Sequence, residues 1–327
     1  MPSPLIHLIT GGTPGLIHDA ELAATVLRGK FPIALHASRR RNLQLLHRRV
    51  LLGLRGLVSK RTNIGIFFEN LPTAWVKAVD RCVLIPNQEW IWPEVEKNIG
   101  RCHEVWCKTH YAEDIFRKRG FRTRYIGFTS KDMFLPDVPK NFNAFVHVAG
   151  RSELKGTSTL LKVWQRHPEW PKVTVISRHP YLLRHTAPNI EIITEYLDDH
   201  RLRVLMNTAG VHLCPSETEG FGHYINEALS TAGLVITTDA SPMNELVSSD
   251  IGVLVPYADV QRQNYSERFL VDANALEQAI DAIVRLPIEE KQAMARRARQ
   301  SFLDRNTQFD MEYLRLTELI TEKDLDR

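Results

Sequence analysis

Two glutamates and a glycine-bearing loop lie close together in SETEGFGHYINEAL, residues 216–229. Glu219 is in the loop and Glu227 is in the predicted helix after it, with seven residues between them. The first N–H groups of a helix lack internal partners, so Gly220 and Gly222 would let a phosphate approach that end closely. A carboxylate can accept hydrogen bonds from two neighbouring hydroxyls. One acid on each side of a phosphate favours a ligand with hydroxyls at both ends, such as a sugar nucleotide.

A strand before this loop and a helix after it must position the two acids. Residues 211–215 predict a buried strand, residues 223–232 place apolar side chains on one helix face, and residues 234–238 predict the next strand. This order is typical of an open parallel sheet. The spacing also allows a purely structural interpretation, in which Glu227 is a solvated helix acid and the two glycines only make a turn.

The same stretch, with TAGLVITTDASPMNEL after it, resembles the Glu-x7-Glu donor site of retaining glycosyltransferases of the glycosyl transferases group 1 family, which have the GT-B fold. GRSELKG at residues 150–156 resembles the second element of that site. The resemblance implies that Glu219 contacts the donor sugar and that Glu227 contacts the ribose. It also implies that Lys155 and Arg151 neutralise the diphosphate, although the interval between them is one residue shorter than in many members.

Further donor contacts are expected around the helix start and at two strand ends. They are Gly220, Phe221, Gly222 and His223, with Leu197 beside the nucleotide base and Gly12 in the loop TGGTPG. The resemblance implies that this first loop touches donor phosphate or acceptor, and an ordinary tight turn is the alternative. It lacks the full GxGxxG spacing, so it is weak support for a nicotinamide-binding dehydrogenase.

A chain of 327 residues is longer than a single hydrophobic core usually accommodates, so two domains are predicted. The resemblance implies the α/β class and the GT-B fold, with two Rossmann-like, doubly wound parallel sheets facing a central cleft. The predicted domains are residues 1–138 on the acceptor side, 139–305 for the nucleotide sugar, and a helix at 306–327 that crosses back to the first. Residues 135–143 predict the linker, and residues 257–269 an irregular surface insertion.

Acceptor recognition is predicted after two strands of the first domain. The segment NQEWIWPE follows an apolar run and contains Asn87, Glu89 and Trp90. Carboxyl and amide groups can accept hydrogen bonds from sugar hydroxyls, and aromatic rings can stack on sugar faces. The alternative is that Trp90 and Trp92 are core or interface residues. His110 follows a later strand and is either an acceptor or phosphate contact or a structural histidine.

Charge is distributed unevenly along the chain. Residues 1–138 have a net charge of +9 and residues 139–327 a net charge of −5. Residues 39–61 carry eight Lys or Arg and no acid, interleaved with leucines near a helical stripe. This segment could bind an anionic membrane surface or could pack on the domain as a helix with a solvated basic face. Nucleic acid is not expected, because no nucleic-acid fold motif accompanies the charge.

No cofactor and no metal are expected. The spacing of Cys102, His103 and Cys107 fits no common zinc pattern, and no DxD motif is present. The four cysteines form no CxxC pair and are typical of free thiols in a reducing compartment. With no secretory signal and no membrane-spanning run, we expect a cytoplasmic protein, with peripheral association on the cytoplasmic face of a membrane as an open alternative.

The resemblance and the residues together favour a retaining, metal-independent glycosyltransferase. It would move a sugar from a UDP- or GDP-sugar to an acceptor hydroxyl of a glycan or lipid-linked glycan. Three alternatives remain open: a nucleotide-sugar epimerase, an inverting GT-B transferase, and a sugar-nucleotide-binding protein with a silent site.

Overall fold

The computed structural model describes residues 3–37 and 61–322 of the chain. These residues separate into two compact units. Unit 1 contains the described residues up to Phe128 together with those from Asn306 onward, and unit 2 contains Thr129–Arg305.

Unit 1 is built on a six-stranded parallel sheet. The strands are β1 (Leu5–Thr10), β2 (Ile33–Ala37), β3 (Asn63–Phe68), β4 (Arg81–Ile85), β5 (Glu104–Cys107) and β6 (Thr123–Tyr125). Their order in the sheet is β2-β1-β3-β4-β5-β6. Most of them are short, largely apolar runs that can be buried between helices, whereas the edge strand β6 is polar and half-buried. The helices are α1 (Pro14–Leu27), α2 (Thr73–Val76), α3 (Pro93–Ile99) and α4 (His110–Lys118).

Unit 2 repeats this architecture with a second parallel sheet of six strands. The strands are β7 (Asn141–Gly150), β8 (Val173–Ser177), β9 (Ile190–Ile193), β10 (Ala209–Cys214), β11 (Leu234–Thr238) and β12 (Gly252–Val255). Their order in the sheet is β12-β11-β10-β7-β8-β9. The helices are α5 (Thr157–Trp164), α6 (Asp199–Thr208), α7 (His223–Ser230), α8 (Met243–Leu246) and α9 (Ala273–Arg285). The predicted α/β class, with two doubly wound parallel sheets, is confirmed.

Residues 257–269, predicted as an irregular insertion, form a β-hairpin instead. β13 (Tyr257–Gln263) pairs antiparallel with β14 (Ser266–Val271), and Asn264 takes a left-handed φ of 52° at the turn. The prediction was wrong because six of the seven residues of β13 are exposed. A strand with water on both faces needs no alternation of apolar and polar residues, so it leaves no period-two signal.

The helix predicted at 306–327 belongs to one longer continuous helix, α10 (Ile288–Glu322). No glycine or proline interrupts these 35 residues, so nothing in the backbone ends the helix before residue 306. From Asn306 onward α10 belongs to unit 1, where Phe309 and Tyr313 are buried. The ring centroid of Phe309 lies 4.8 Å from that of Phe128, and the ring centroid of Tyr313 lies 5.8 Å from that of Trp106.

The segment before β7 is bound to unit 2. Asp132 accepts from both terminal nitrogens of Arg299, at 2.7 and 2.8 Å. The side-chain amide of Asn207 donates to Met133 O at 2.7 Å and accepts from Leu135 N at 2.9 Å. The observed division after Phe128 therefore differs from the predicted boundary at 138/139, and β7 begins inside the predicted linker.

Two buried histidines in unit 2 predict acid sensitivity. Burial lowers the pKa of His147 to about 4 and that of His212 to about 3. Unfolded histidines titrate near 6.5, so below that pH the unfolded chain binds more protons and the free energy of unfolding falls. Between pH 7 and pH 5 each histidine should remove roughly 2 kcal/mol.

Urea unfolding followed over this pH range would measure the loss. His147→Gln, which stays neutral, should reduce the pH dependence, whereas replacing His200, an exposed residue of α6, in the same way should not. A free energy of unfolding that is constant from pH 7 to pH 5 would contradict the prediction.

Candidate functional site

Two loops of unit 2 meet where the adjacent strands β7 and β10 end. The backbone N–H of Glu217, after β10, donates to Leu154 O, after β7, at 3.0 Å. Gly156 packs against Pro215 so closely that a Cβ at Gly156 would lie 2.2 Å from the Pro215 carbonyl oxygen. The loops that carry the two predicted motif elements are therefore held together at the carboxyl edge of the sheet, where open α/β folds bind ligands.

A polar network joins the two loops. Lys155 Nζ and Ser216 Oγ both donate to Oε1 of Glu219. Ser216 Oγ also lies 2.8 Å from the Tyr224 hydroxyl, and Lys155 Nζ lies 3.9 Å from the centroid of the Tyr224 ring. The Lys155 and Glu219 side chains are 14% and 11% exposed. A cation and a carboxylate thus share a partly dehydrated site, where electrostatic interactions are stronger than in water.

The helix α7 begins beside this network. Gly222 is its N-cap, with a φ of 105° that L side chains rarely adopt, and no side chain caps the first turn. Phe221 is buried, with its ring 5.3 Å from that of His223. His223 Nδ1 lies 2.9 Å from Ser130 Oγ. The geometry suits an anion, because the first backbone N–H groups of α7 are not held by a capping side chain.

Glu227 lies on the next turn of α7 and is half-buried. Burial raises the pKa of its carboxyl, against the opposing effect of the positive charges of His223 and Lys131. Within the described part of the chain no side chain pairs with this carboxylate. A partly dehydrated carboxylate of this kind can accept hydrogen bonds from a ligand.

The other residues predicted to bind the donor lie outside this network or apart from it. Arg151 is exposed, its backbone oxygen accepts from His179 Nε2 at 3.1 Å, and it does not join the Lys155–Glu219 pair. Leu197 is buried in an apolar cluster with Val146 and Ile193. The interval between Arg151 and Lys155 is one residue shorter than in many family members, and Arg151 lies outside the network that Lys155 joins.

In unit 1, Gly12 lies in the loop between β1 and α1, and α1 begins at Pro14 behind an N-cap, Thr13. The close approach in this loop occurs at Gly11, where a Cβ would lie 2.7 Å from Asn70 Nδ2. This contact is made by the end of the Asn70 side chain, and the ligand contact of Gly12 stays a prediction.

The predicted acceptor residues of unit 1 separate into buried and exposed groups. Glu89 is buried, whereas Trp90 and Trp92 are 37% and 49% exposed, with ring centroids 6.2 Å apart. The two tryptophans are therefore not core residues. His110 begins α4, lies exposed, and stacks on Tyr125 at 3.8 Å between ring centroids. Asn87 joins a buried network that is described below.

Sequence reasoning missed two members of the polar network around Glu219, Ser216 and Tyr224. Ser216 lies in the loop before Glu219, and Tyr224 is in the first turn of α7. Their side chains meet only because the loop folds back on the helix that follows it. A serine in a loop and a tyrosine on a helix carry no spacing signal for such a contact.

In residues 3–37 and 61–322 no group of three or more His, Cys, Asp or Glu side chains could hold a metal ion. His103 Nδ1 instead accepts from the backbone N–H of Cys82 at 3.1 Å. Across those same residues, every helix is too short or too polar to pass through a bilayer. Segment 39–61, predicted either to bind a membrane or to pack on the domain, lies outside the described residues, except for Arg61.

Comparison with solved structures identifies the class of fold. A glycosyltransferase from Rickettsia africae ESF-5 gives a TM-score of 0.75 at 14% identity, over 99% of this chain and 100% of that one. HepE from Anabaena, solved with UDP and glucose, gives 0.68 at 14% identity, over 98% and 100%. The GtfA/B complex gives 0.65 at 13% identity over 84% of this chain, which spans 60% of the length of that relative.

The two sheets and these neighbours place the chain among proteins with the GT-B fold, as predicted. The model for the family described as glycosyl transferases group 1 matches residues 130–301, just over half of the chain. The chain belongs to the glycosyl transferases group 1 family. None of the curated proteins compared with the chain matches it in sequence.

Proposed function

We propose that this protein is a retaining, metal-independent glycosyltransferase that moves a sugar from a UDP-sugar to an acceptor hydroxyl of a glycan or lipid-linked glycan. The observation that carries the proposal is the joining of Lys155 and Glu219 beside the uncapped start of α7, with Glu227 one turn further along. UDP is preferred over GDP because HepE was solved with UDP and the pneumococcal GtfA with UDP and GlcNAc.

The difficult part of the reaction is departure of the diphosphate, which gains negative charge as the bond to the anomeric carbon breaks. Lys155 has three N–H donors, so it can hold Glu219 and a phosphate oxygen together. The start of α7 supplies further donors to the same anion. Glu219 would orient the donor sugar, Glu227 would hold the ribose, and Arg151, at the exposed end of β7, would contact the diphosphate from outside the network.

The anomeric configuration is retained if the acceptor attacks the anomeric carbon on the same face of the donor sugar from which the diphosphate leaves. The acceptor oxygen then forms the new bond to the anomeric carbon, and the departing phosphate oxygen takes the acceptor proton. No side chain is assigned as general base. Action in the cytoplasm, with residues 39–61 at an anionic membrane, belongs to the same proposal, and vesicle sedimentation at low salt tests the membrane part.

A thermal-shift screen of UDP-, GDP- and dTDP-sugars tests the donor. A ligand that binds only the folded state at about 100 times its Kd adds about 2.7 kcal/mol, which raises the melting temperature of a chain of this length by roughly 4 °C. We expect UDP-sugars to give the largest rise. No rise with any nucleotide sugar would remove the basis of the proposal.

Product analysis then separates the alternatives. NMR of the product should show the anomeric configuration of the donor sugar, and an inverted product would identify an inverting transferase. An epimerase would interconvert donors without an acceptor. A silent binding protein would bind UDP but release none from any donor.

A further inference from the structure

A buried ion pair in unit 1 lies outside the donor site. Lys108 follows β5 and donates from Nζ to Asp19 on α1, and the two side chains are 2% and 3% exposed. Removing two charges from water costs free energy, which their attraction offsets only with good geometry and additional hydrogen bonds. Lys108 makes such a bond, because Nζ also donates to Asn87 Oδ1 at 2.9 Å.

This bond fixes the orientation of the Asn87 amide. Because Oδ1 accepts from Lys108, the amide nitrogen lies on the other side and donates to Glu69 Oε2 at 2.8 Å. Rotating the amide by half a turn would put two donors against each other and an acceptor against a carboxylate. The four-residue network of Asp19, Lys108, Asn87 and Glu69 therefore holds one oxygen of the Glu69 carboxylate in a defined position.

The backbone of Glu69 is also unusual. Its φ is 66°, in the left-handed region that few non-glycine residues adopt, and its N–H is held by Ile85 O at 2.9 Å. Such strain persists only where the surroundings impose it, and it is concentrated at functional sites. Burial also raises the pKa of the Glu69 carboxyl, against the opposing effect of the Asn87 hydrogen bond.

The position of the network indicates a ligand site. Glu69 directly follows β3, Asn87 lies two residues after β4, and Lys108 directly follows β5. These three strands are neighbours in the sheet. The three side chains thus lie along the carboxyl edge, where open α/β sheets bind ligands. The exposed rings of Trp90 and Trp92 follow Asn87 in the chain and offer an apolar surface on which a sugar can stack.

We propose that Glu69 binds a hydroxyl of the acceptor sugar through Oε1, while Asn87 holds Oε2. This inference rests on the proposed transferase function and assigns the acceptor side of it. A carboxylate accepts hydrogen bonds from neutral hydroxyls and repels phosphate, so the group recognised here is a hydroxyl of a sugar or polyol and not an anionic group. Glu69 replaces the buried Glu89 as the acidic acceptor ligand.

The test uses Glu69→Gln in the full chain, with UDP-glucose as donor probe, or the nucleotide sugar with the largest thermal shift. Water and added glycerol serve as acceptors. Glutamine keeps the bond from Asn87 but presents an N–H₂ group where Oε1 was, so the variant donates where the carboxylate accepted. We expect glycerol-dependent UDP release to fall at least tenfold, while hydrolysis in water alone and the Kd for UDP change by less than twofold.

Two further variants control the result. Glu94→Gln removes an exposed acid of α3 in the same unit and should leave UDP release unchanged. Asn87→Ala frees the Glu69 carboxylate and should lower UDP release in the same direction, again without weakening UDP binding. Circular dichroism confirms that each variant is folded.

The outcomes separate this inference from the proposed function. Glycerol-dependent UDP release within twofold of wild type in Glu69→Gln overturns the acceptor role, as does a parallel loss of UDP affinity. A wild-type protein that neither binds UDP nor turns over any nucleotide sugar overturns the proposed function, and the acceptor role falls with it.

Discussion

Replacing Glu227 with alanine is expected to weaken binding of the UDP-sugar by roughly 10²–10⁴-fold and to abolish turnover at ordinary donor concentrations. The proposed role has this carboxylate accept from both ribose hydroxyls, and a hydrogen bond to a charged group contributes about 1.5–3 kcal/mol. Losing two such bonds accounts for the expected range. Calorimetric titration with UDP measures the affinity, and UDP release measures the turnover.

The fold should survive this change, because the carboxylate has no protein partner within the described residues. Glu290→Ala, which removes an exposed acid from the first turn of α10 in the same unit, should leave both quantities unchanged. Full activity in Glu227→Ala would end the assignment of the ribose contact. Burial raises the pKa of Glu227, and a protonated carboxyl accepts hydrogen bonds less well than a carboxylate. UDP affinity should therefore also fall as the pH is lowered toward this raised pKa.

Local patterns in the sequence were sufficient for the sheets and for the donor loops. Most of the parallel strands are short apolar runs, and a run of this kind has few alternatives to burial in a sheet. Glu219 was singled out by its type and spacing, and Lys155 by the resemblance of GRSELKG to the second element of the family's donor site. That they pair with each other could not be predicted, because the pairing depends on how closely Gly156 approaches Pro215.

The features that were missed depend on tertiary contacts or on solvent exposure. The hairpin of β13 and β14 lacks the alternation that a half-buried strand would show. The network that ends at Glu69 joins residues from α1 and from three strand ends, up to 89 positions apart between Asp19 and Lys108. No short window of sequence contains such a set, so only the order of strands in the sheet brings it together.

Gly156→Ala is expected to destabilise unit 2 by roughly 2–5 kcal/mol and to weaken UDP binding in the fraction that remains folded. Gly156 has a φ of 65°, and a left-handed conformation costs an L residue about 1–2 kcal/mol. The new Cβ would also lie 2.2 Å from the Pro215 carbonyl oxygen, a backbone atom that no rotamer change can move. Overpacking of this kind costs about 1–3 kcal/mol more.

Gly150→Ala is the matched control at the other end of the same loop. Gly150 has a φ of 59°, but nothing lies within 4 Å of the Cβ it would gain, so the variant carries the backbone strain without the clash. Urea unfolding should therefore show a clearly smaller loss of stability for Gly150→Ala. Separation of the two loops by the clash would pull Lys155 away from Glu219, so UDP affinity should fall only in Gly156→Ala. Equal losses in the two variants would mean that the contact with Pro215 does not hold the donor site together.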